Sequence, residues 1–452
     1  MRPPTTASLP ARRALLACAL ALLLPAARPP AAEERVEALE RQVDALSREI
    51  EMMKLGGAAD TARAVSRFGL GPAASRVYGV SSGVSIGGYG EALFQAFDRE
   101  RESGQRSSLR DRVDLLRSVL YVGYKFDGDL LFNSEIELEH AGVRDEAEVA
   151  VDTTTGRGAV ELTGEATMEF AYLDWLPQRS LGVRAGKLLV PLGLVNEMHE
   201  PPVFLGARRP EVETRIVPST WSAIGAGIFG ELEGGLSYRA YLMEGLDAAG
   251  FGADRPIRGG RQGGSQSLAT HPAFAARADY AAVPRISIGG AIYTGDSWQR
   301  EQPAGGRLRP RVTLFDLHAR AEVHGVEWRL LYVEGRLGDA ARLSDELGLQ
   351  GSERLGRAFR GGYAEVSWDV TMLSRLPASW ALIPYLRYEE YATQQEVAAP
   401  GWEDPANHGN VLTLGAAFKP HPNVVLKLDR EERRNDARTE TSQWSAALGY
   451  LF

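Results

Sequence analysis

From residue 84 to the end of the chain, apolar and polar positions alternate with a period of two. In Leu130–Glu139, Leu130, Phe132, Ile136 and Leu138 fall on one face, with Ser134 among them. Leu131, Asn133, Glu135, Glu137 and Glu139 fall on the other. A strand sorts these groups, whereas a helix scatters them. The same sorting sets Phe315, Leu317, Ala319, Ala321 and Val323 against Asp316, His318, Arg320 and Glu322. It sets Val424, Leu426 and Leu428 against Lys427, Asp429 and Glu431, and Trp444, Ala446, Leu448, Tyr450 and Phe452 against Gln443, Ser445, Ala447 and Gly449. Strands are predicted over 84–97, 110–126, 128–141, 160–176, 180–191, 222–233, 235–245, 271–282, 285–294, 310–323, 326–335, 357–370, 379–392, 410–419, 423–432 and 442–452. Ionised groups at every second position are ruinous in a soluble core unless paired. A barrel places them around a wet lumen and turns the apolar face to lipid. The predicted fold is therefore an all-β membrane protein, a 16-stranded antiparallel transmembrane β-barrel over 83–452.

The connections alternate in length. Phe126–Asp129, Glu233–Gly235, Ala282–Arg285, His324–Gly325 and Lys419–Asn423 are short. Between them lie polar, Gly-rich stretches near 99–109, 142–159, 192–221, 246–270, 295–309, 336–356, 393–409 and 433–441. Short periplasmic turns and long extracellular loops give a barrel this asymmetry. Both ends of the barrel chain fall on the short-turn side. The closing strand, ending on Phe452, should pair with the first near Gly87 to Phe94.

The pattern differs upstream. Val36, Leu39, Val43, Leu46, Ile50 and Met53 repeat at spacings of three and four with no Gly or Pro between them. This is the seam of a short α-helical coiled coil over 33–55, placed in the periplasm. About three heptads are marginal alone, so the seam implies a homo-oligomer supported elsewhere. Residues 56–82 are a linker rich in Gly, Ala and Ser. Residues 1–32 fit a signal peptide: Arg2, Arg12 and Arg13, an apolar core from Ala14 to Leu24, then a small-residue stretch ending at Ala32. Cys18 is the only cysteine and lies early in that core, which disfavours a lipoprotein signal. Its removal leaves no disulfide, thiolate nucleophile or cysteine metal site.

Composition adjusts this picture slightly. The 49 glycines, 15 tyrosines and 8 tryptophans suit turns and aromatic girdles. The formal charge of -8 becomes near -12 without the first 32 residues, which carry four arginines and no acid, and this argues against nucleic acid as a partner.

Alternation places Arg117, Lys125, Glu135, Glu137, Glu139, Arg184, Lys187, Arg320, Arg329 and Arg387 on the lumen side, where charge rings tune ion selectivity. Pairing of opposite charges across neighbouring strands is the plainer role for any one of them. The stretch 192–221 is long, and its Pro, Phe and Leu content argues for order, so it can fold inward and narrow the lumen. Its candidate constriction residues are Asn196, Glu197, His199, Glu200, Arg208 and Arg209. No catalytic arrangement, cofactor or metal is expected. Gly225–Gly230 matches GxGxxG but sits within a predicted strand with no following helix. His199-Glu200 is not HExxH, because Val203 occupies the last position. Glu135, Glu137, Glu139 and His140 alternate as a wet wall does.

Several runs together resemble the phosphate-selective porin O/P family and related trimeric porins with an N-terminal periplasmic coiled coil. They are Gly87-Gly88-Tyr89-Gly90-Glu91, Phe132 to His140, Ala185 to Pro202, Pro218-Ser219-Thr220-Trp221 and Gly225-Ala226-Gly227. The resemblance implies a homotrimeric outer-membrane diffusion channel of a Gram-negative bacterium for small solutes, including anions such as phosphate. It also implies that the barrel-assembly machinery recognises the terminal Phe452. Phosphate-specific members line the pore with basic residues, whereas this chain has five lysines and an acidic balance. A dicarboxylate-type or non-specific porin, or a structural envelope-anchoring barrel, is the alternative.

Overall fold

The structure is a computed structural model that describes residues 66–141, 164–373, 377 and 379–452. The coiled-coil and signal segments expected over 1–55 lie outside the described residues. Sixteen antiparallel strands close into one barrel in sequence order. They are β1 (Gly83–Phe97), β2 (Arg112–Lys125), β3 (Leu130–Glu139), β4 (Glu165–Gln178), β5 (Leu181–Leu189), β6 (Ser222–Glu231), β7 (Leu236–Glu244) and β8 (Pro272–Tyr280). The circuit continues with β9 (Ile286–Asp296), β10 (Arg311–Val323), β11 (Val326–Leu337), β12 (Gly356–Trp368), β13 (Ala381–Val397), β14 (His408–His421), β15 (Val424–Asn435) and β16 (Gln443–Leu451). The alternating pattern therefore located every strand to within a few residues. Among the described residues, no helix is long and apolar enough to cross a membrane.

Closure joins β1 to β16, with Tyr89 opposite Leu451 and Phe97 opposite Gln443. Gly88 and Phe452 exchange backbone hydrogen bonds of 3.0 and 2.9 Å. A Cβ on Gly88 would stand 2.7 Å from the Phe452 ring and 2.3 Å from the Val119 carbonyl, so the seam requires glycine there. At the short-turn end, His324 and Gly325 both have positive φ, the requirement of a two-residue hairpin turn that follows strand twist. Asp127 caps another turn by accepting from the amides of Asp129 and Leu130, both at 2.8 Å. Those bonds hold its carboxyl below the usual range. Only the β12–β13 connection breaks the length alternation at this end, taking residues 369–380.

The outer wall is apolar: Leu317, Leu414, Leu428, Trp444 and Phe452 are exposed on it. The inner wall mixes charged and apolar positions. Toward the long-loop ends of β5–β12, Leu188, Tyr241, Leu314, Val333 and Phe359 pack with Val190, Leu192, Ile216 and Trp221 from the β5–β6 connection. Nearer the short turns the same strands carry buried Arg239, Asp316 and Glu365. At the apolar cluster the interior is packed instead of the wet wall its alternation suggests, because a loop supplies apolar partners that the strand pattern does not contain.

Candidate functional site

The β5–β6 connection, residues 190–221, crosses the lumen. Its neck is closed by Asn196, which donates to the carbonyls of Val190 and Trp221 and accepts from the Trp221 amide at 2.7 Å. From there it meets the inner wall on every side. Gly193 donates to Asp316 on β10, and His199 lies 3.0 Å from Glu135 on β3. Lys419 on β14 and Lys427 on β15 donate to the carbonyls of Pro202 and Gly206. The Ala207 amide donates to Asp429, and the Val212 amide to Glu389. Glu213 is fully buried and accepts from the amides of Leu194 and Val195 and from Tyr363 on β12. Such satisfaction of buried polar groups fixes the loop in one position.

The loop carboxyls and imidazole feel this enclosure. Burial pushes Glu200 up to about 7, despite the Ala74 and Ala73 amides that favour its ionised form. Burial likewise raises Glu213. Glu211 is buried too, yet Arg433, Arg208 and Arg215 hold it well below the carboxylate range. Burial, reinforced by Arg209, pushes His199 down to about 4. His199 Nδ1 lies 2.8 Å from the Asn196 carbonyl, so the neutral ring donates there and presents a lone pair at Nε2. One proton must therefore lie between Nε2 and Glu135 Oε1.

Most strand charges pair across the wall. Arg117 meets Glu91 at 3.4 Å, Glu137 at 3.3 Å and Glu139 at 3.5 Å. Arg184 grips Asp174 at 2.8 and 2.9 Å between the rings of Tyr172 and Phe229, and is buried. Arg387 pairs with Glu389 and Glu365, Arg329 with Glu327 and Glu365, and Arg320 with Glu327. Lys125 ends β2 at the short turns, away from the rest. In the loop, Glu197 pairs with Arg239 at 3.0 Å, and Arg208 with Glu211 and Glu431.

A different arrangement lines a cavity of about 1200 Å³ at the long-loop end. Here Lys187, Arg209, Arg258 and Arg261 have no carboxylate within 4.0 Å among the described residues. Arg209 Nε and Nη2 are buried without a hydrogen-bond partner among them. Arg261 donates to the carbonyls of Ser219 and Thr220, and Arg258 to that of Thr214, so both brace the crossing loop from the β7–β8 connection. Burial and the neighbouring Arg261 and Arg255 push Arg258 down to about 9, which leaves it charged at neutral pH. Glu165 and Glu169 line the same cavity. The arrangement can attract a small anion and hold its charge against a carboxylate-bearing wall. Arg117, Glu139, Lys187, Arg208 and Arg209 all border this cavity; Lys125, Arg184, Arg320, Arg329 and Arg387 do not. Sequence reasoning passed over Arg258 and Arg261. Their signal was a basic triplet, Arg255, Arg258 and Arg261, spaced by three in a glycine-rich loop.

Toward the short-turn end the space contracts. A cavity of about 220 Å³ lies between Arg239, Arg277 and His318 on the wall and Glu197 and Met198 in the loop. A void of about 30 Å³, bordered by Phe204 and Arg387, lies between the two. His318 stands 2.7 Å from Asp279 and 2.6 Å from Asp316, with Arg277 2.8 Å from Asp279. Among the described residues, no group of three His, Cys, Asp or Glu side chains is arranged to hold a metal.

A protein of Aquifex aeolicus (strain VF5), described only as uncharacterized, is 33% identical over 392 residues, 85% of this chain and 83% of that one. No family model matches. Among solved structures, Salmonella typhi OmpF in complex with daunomycin has a TM-score of 0.50 at 12% identity, covering 82% of this chain and 98% of that one. The anion-selective porin of Comamonas acidovorans has a TM-score of 0.49 at 11% identity, covering 82% and 100%. The OmpF likeness is one of fold, that of a porin barrel, and the second is too slight to add to it.

Proposed function

We propose that this chain, which belongs to the same family as the uncharacterized Aquifex aeolicus protein, is a passive channel for small hydrophilic solutes and ions. The observation that carries this reading is the charged cavity of about 1200 Å³ inside a closed barrel, floored by a loop that crosses the lumen. The outward apolar face and the inward charge suit a barrel set in an outer membrane, with short turns toward the periplasm. On this reading residues 33–55 lie in the periplasm and support a homotrimer, the signal over 1–32 is removed, and Phe452 engages the assembly machinery. Selectivity comes from width and field, with no covalent step. The cations without close carboxylates, Arg112 with Lys187, Arg209, Arg258 and Arg261, favour small anions, phosphate among them, while Glu165 and Glu169 keep the preference modest. Reversal potentials across a salt gradient test the sign. A cation-selective channel would overturn the anion preference.

One observation favours a second reading, a structural barrel that anchors the envelope. Below the upper cavity the space contracts to a void of about 30 Å³ and a cavity of about 220 Å³. Liposome swelling in small sugars separates the two readings: swelling supports the channel, and none supports the anchor.

A further inference from the structure

Residues 66–82 read as linker, yet part of this stretch lies inside the barrel. Its carbonyls and amides meet lumen-facing groups. Asn133 donates to the Ala74 carbonyl at 2.9 Å. The Gly71 amide donates to the Glu197 carbonyl, and the Ala73 and Ala74 amides donate to the Glu200 carboxylate at 2.9 and 3.0 Å. Tyr78 donates to Asp174 at 2.6 Å and accepts from Arg184 at 2.8 Å. Phe68 packs edge-on against Tyr78 and Phe229. Leu70, Ala73, Ala74, Val77 and Tyr78 are buried against Tyr89, Tyr121, Leu131, Phe170 and Tyr172 on β1–β4.

The fit is close. A Cβ on Gly69 would stand 2.7 Å from the Arg239 guanidinium, and Gly69 has φ +84°. A Cβ on Gly71 would stand 2.5 Å from Glu200 Oε1. The positive φ of Gly69 favours glycine, and at both points the main chain lies directly against charged side-chain ends. Glu197 and Glu200 belong to the crossing loop, so loop and segment are seated by shared bonds. Gly69 lines the cavity of about 220 Å³ toward the short-turn end, together with Glu197 and Met198 of the crossing loop.

We propose that residues 66–78 are an internal pore element: seated under the crossing loop, the segment narrows the short-turn half of the lumen and sets the conductance, and its displacement widens the path. This inference rests on the channel reading. Conduction follows the width and polarity of the narrowest passage, and both are set here by main chain from outside the strands.

The test is single-channel recording in planar bilayers of the full chain beside a variant lacking 66–78 and a double variant, Tyr78→Phe with Glu200→Ala. The double variant removes two anchors and leaves the wall intact, so it serves if the deletion fails to fold. Heat-modifiable gel mobility establishes folding in each case. A rise of about twofold or more in unit conductance for the deletion, or a new larger state in the double variant, supports the proposal. Unchanged conductance in a folded variant overturns it while the channel reading stands. Absence of current from every folded form sinks the channel reading, and this inference with it.

Discussion

Replacing Lys187 and Arg209 together by glutamine tests whether the upper cavity governs ion choice. Neither side chain has a carboxylate within 4.0 Å among the described residues, so neutralising them orphans no close ion pair. A unit charge about 6 Å from a permeating ion contributes about 0.7 kcal/mol in water, so losing two costs an anion about 1.4 kcal/mol. That is roughly a tenfold fall for the anion and, by the opposite sign, a tenfold gain for the cation, so the anion-to-cation permeability ratio falls by up to about a hundredfold before screening. The figure grows where the wall lowers the local dielectric. It shrinks with salt, because the screening length falls from about 10 Å at 0.1 M to about 3 Å at 1 M. The assay is the reversal potential across a KCl gradient in planar bilayers, repeated at low and high mean salt. The expected result is a displacement toward cation preference at low salt that nearly vanishes at 1 M. Lys125→Gln, at the short turns, should leave the potential unchanged. An unmoved reversal potential at low salt in the folded double variant refutes the assignment.

Further outcomes are expected elsewhere. His199 sits at about 4 in place of its usual 6.5, so a released loop binds a proton that the seated loop refuses. The contribution of His199 to the seated loop is therefore full above pH 6.5 and falls by up to about 3 kcal/mol as pH drops toward 4, while Glu200, raised to about 7, works in the opposite direction over the same window. Hydrogen exchange across 190–221 should therefore show the His199→Gln loop gaining protection relative to the unsubstituted loop as pH falls from 6.5 toward 4, and no such difference would refute the assignment. Glu213→Ala strands the Leu194 and Val195 amides and the Tyr363 hydroxyl, each costing about 1–3 kcal/mol, so limited proteolysis within the loop should accelerate while the strands stay protected. Gly88→Val drives a side chain into the Val119 carbonyl and the Phe452 ring at the closing seam. The fraction of heat-modifiable folded protein after refolding should drop sharply, and an unchanged yield would show that the seam tolerates bulk.

The barrel was legible because each strand carries its own record: one face buried, one exposed, repeated sixteen times. The register followed from the same rule, which forbids a one-residue slip wherever the faces differ. Pairing within the wall was legible too, since Glu91, Arg117 and Glu139 stand opposite one another in register. The interior was not. Alternation says that a residue points inward but not what it meets there. Arg184 points inward and is covered by Tyr78, whose position depends on a segment that looked like linker. Leu188 and Leu314 point inward into an apolar core that exists only because Ile216 and Trp221 arrive from a loop. Phe68, Leu70, Val77 and Tyr78 did carry a signal, since a solvated linker has no use for four such residues within eleven positions.

The central claim is passage of solute through the barrel. The most direct measurement is current through single molecules of the purified, refolded full chain in a planar bilayer, with folding established by heat-modifiable mobility. The account predicts discrete, reproducible conductance steps with a modest anion preference. Folded protein that inserts and gives no steps at any salt would contradict it.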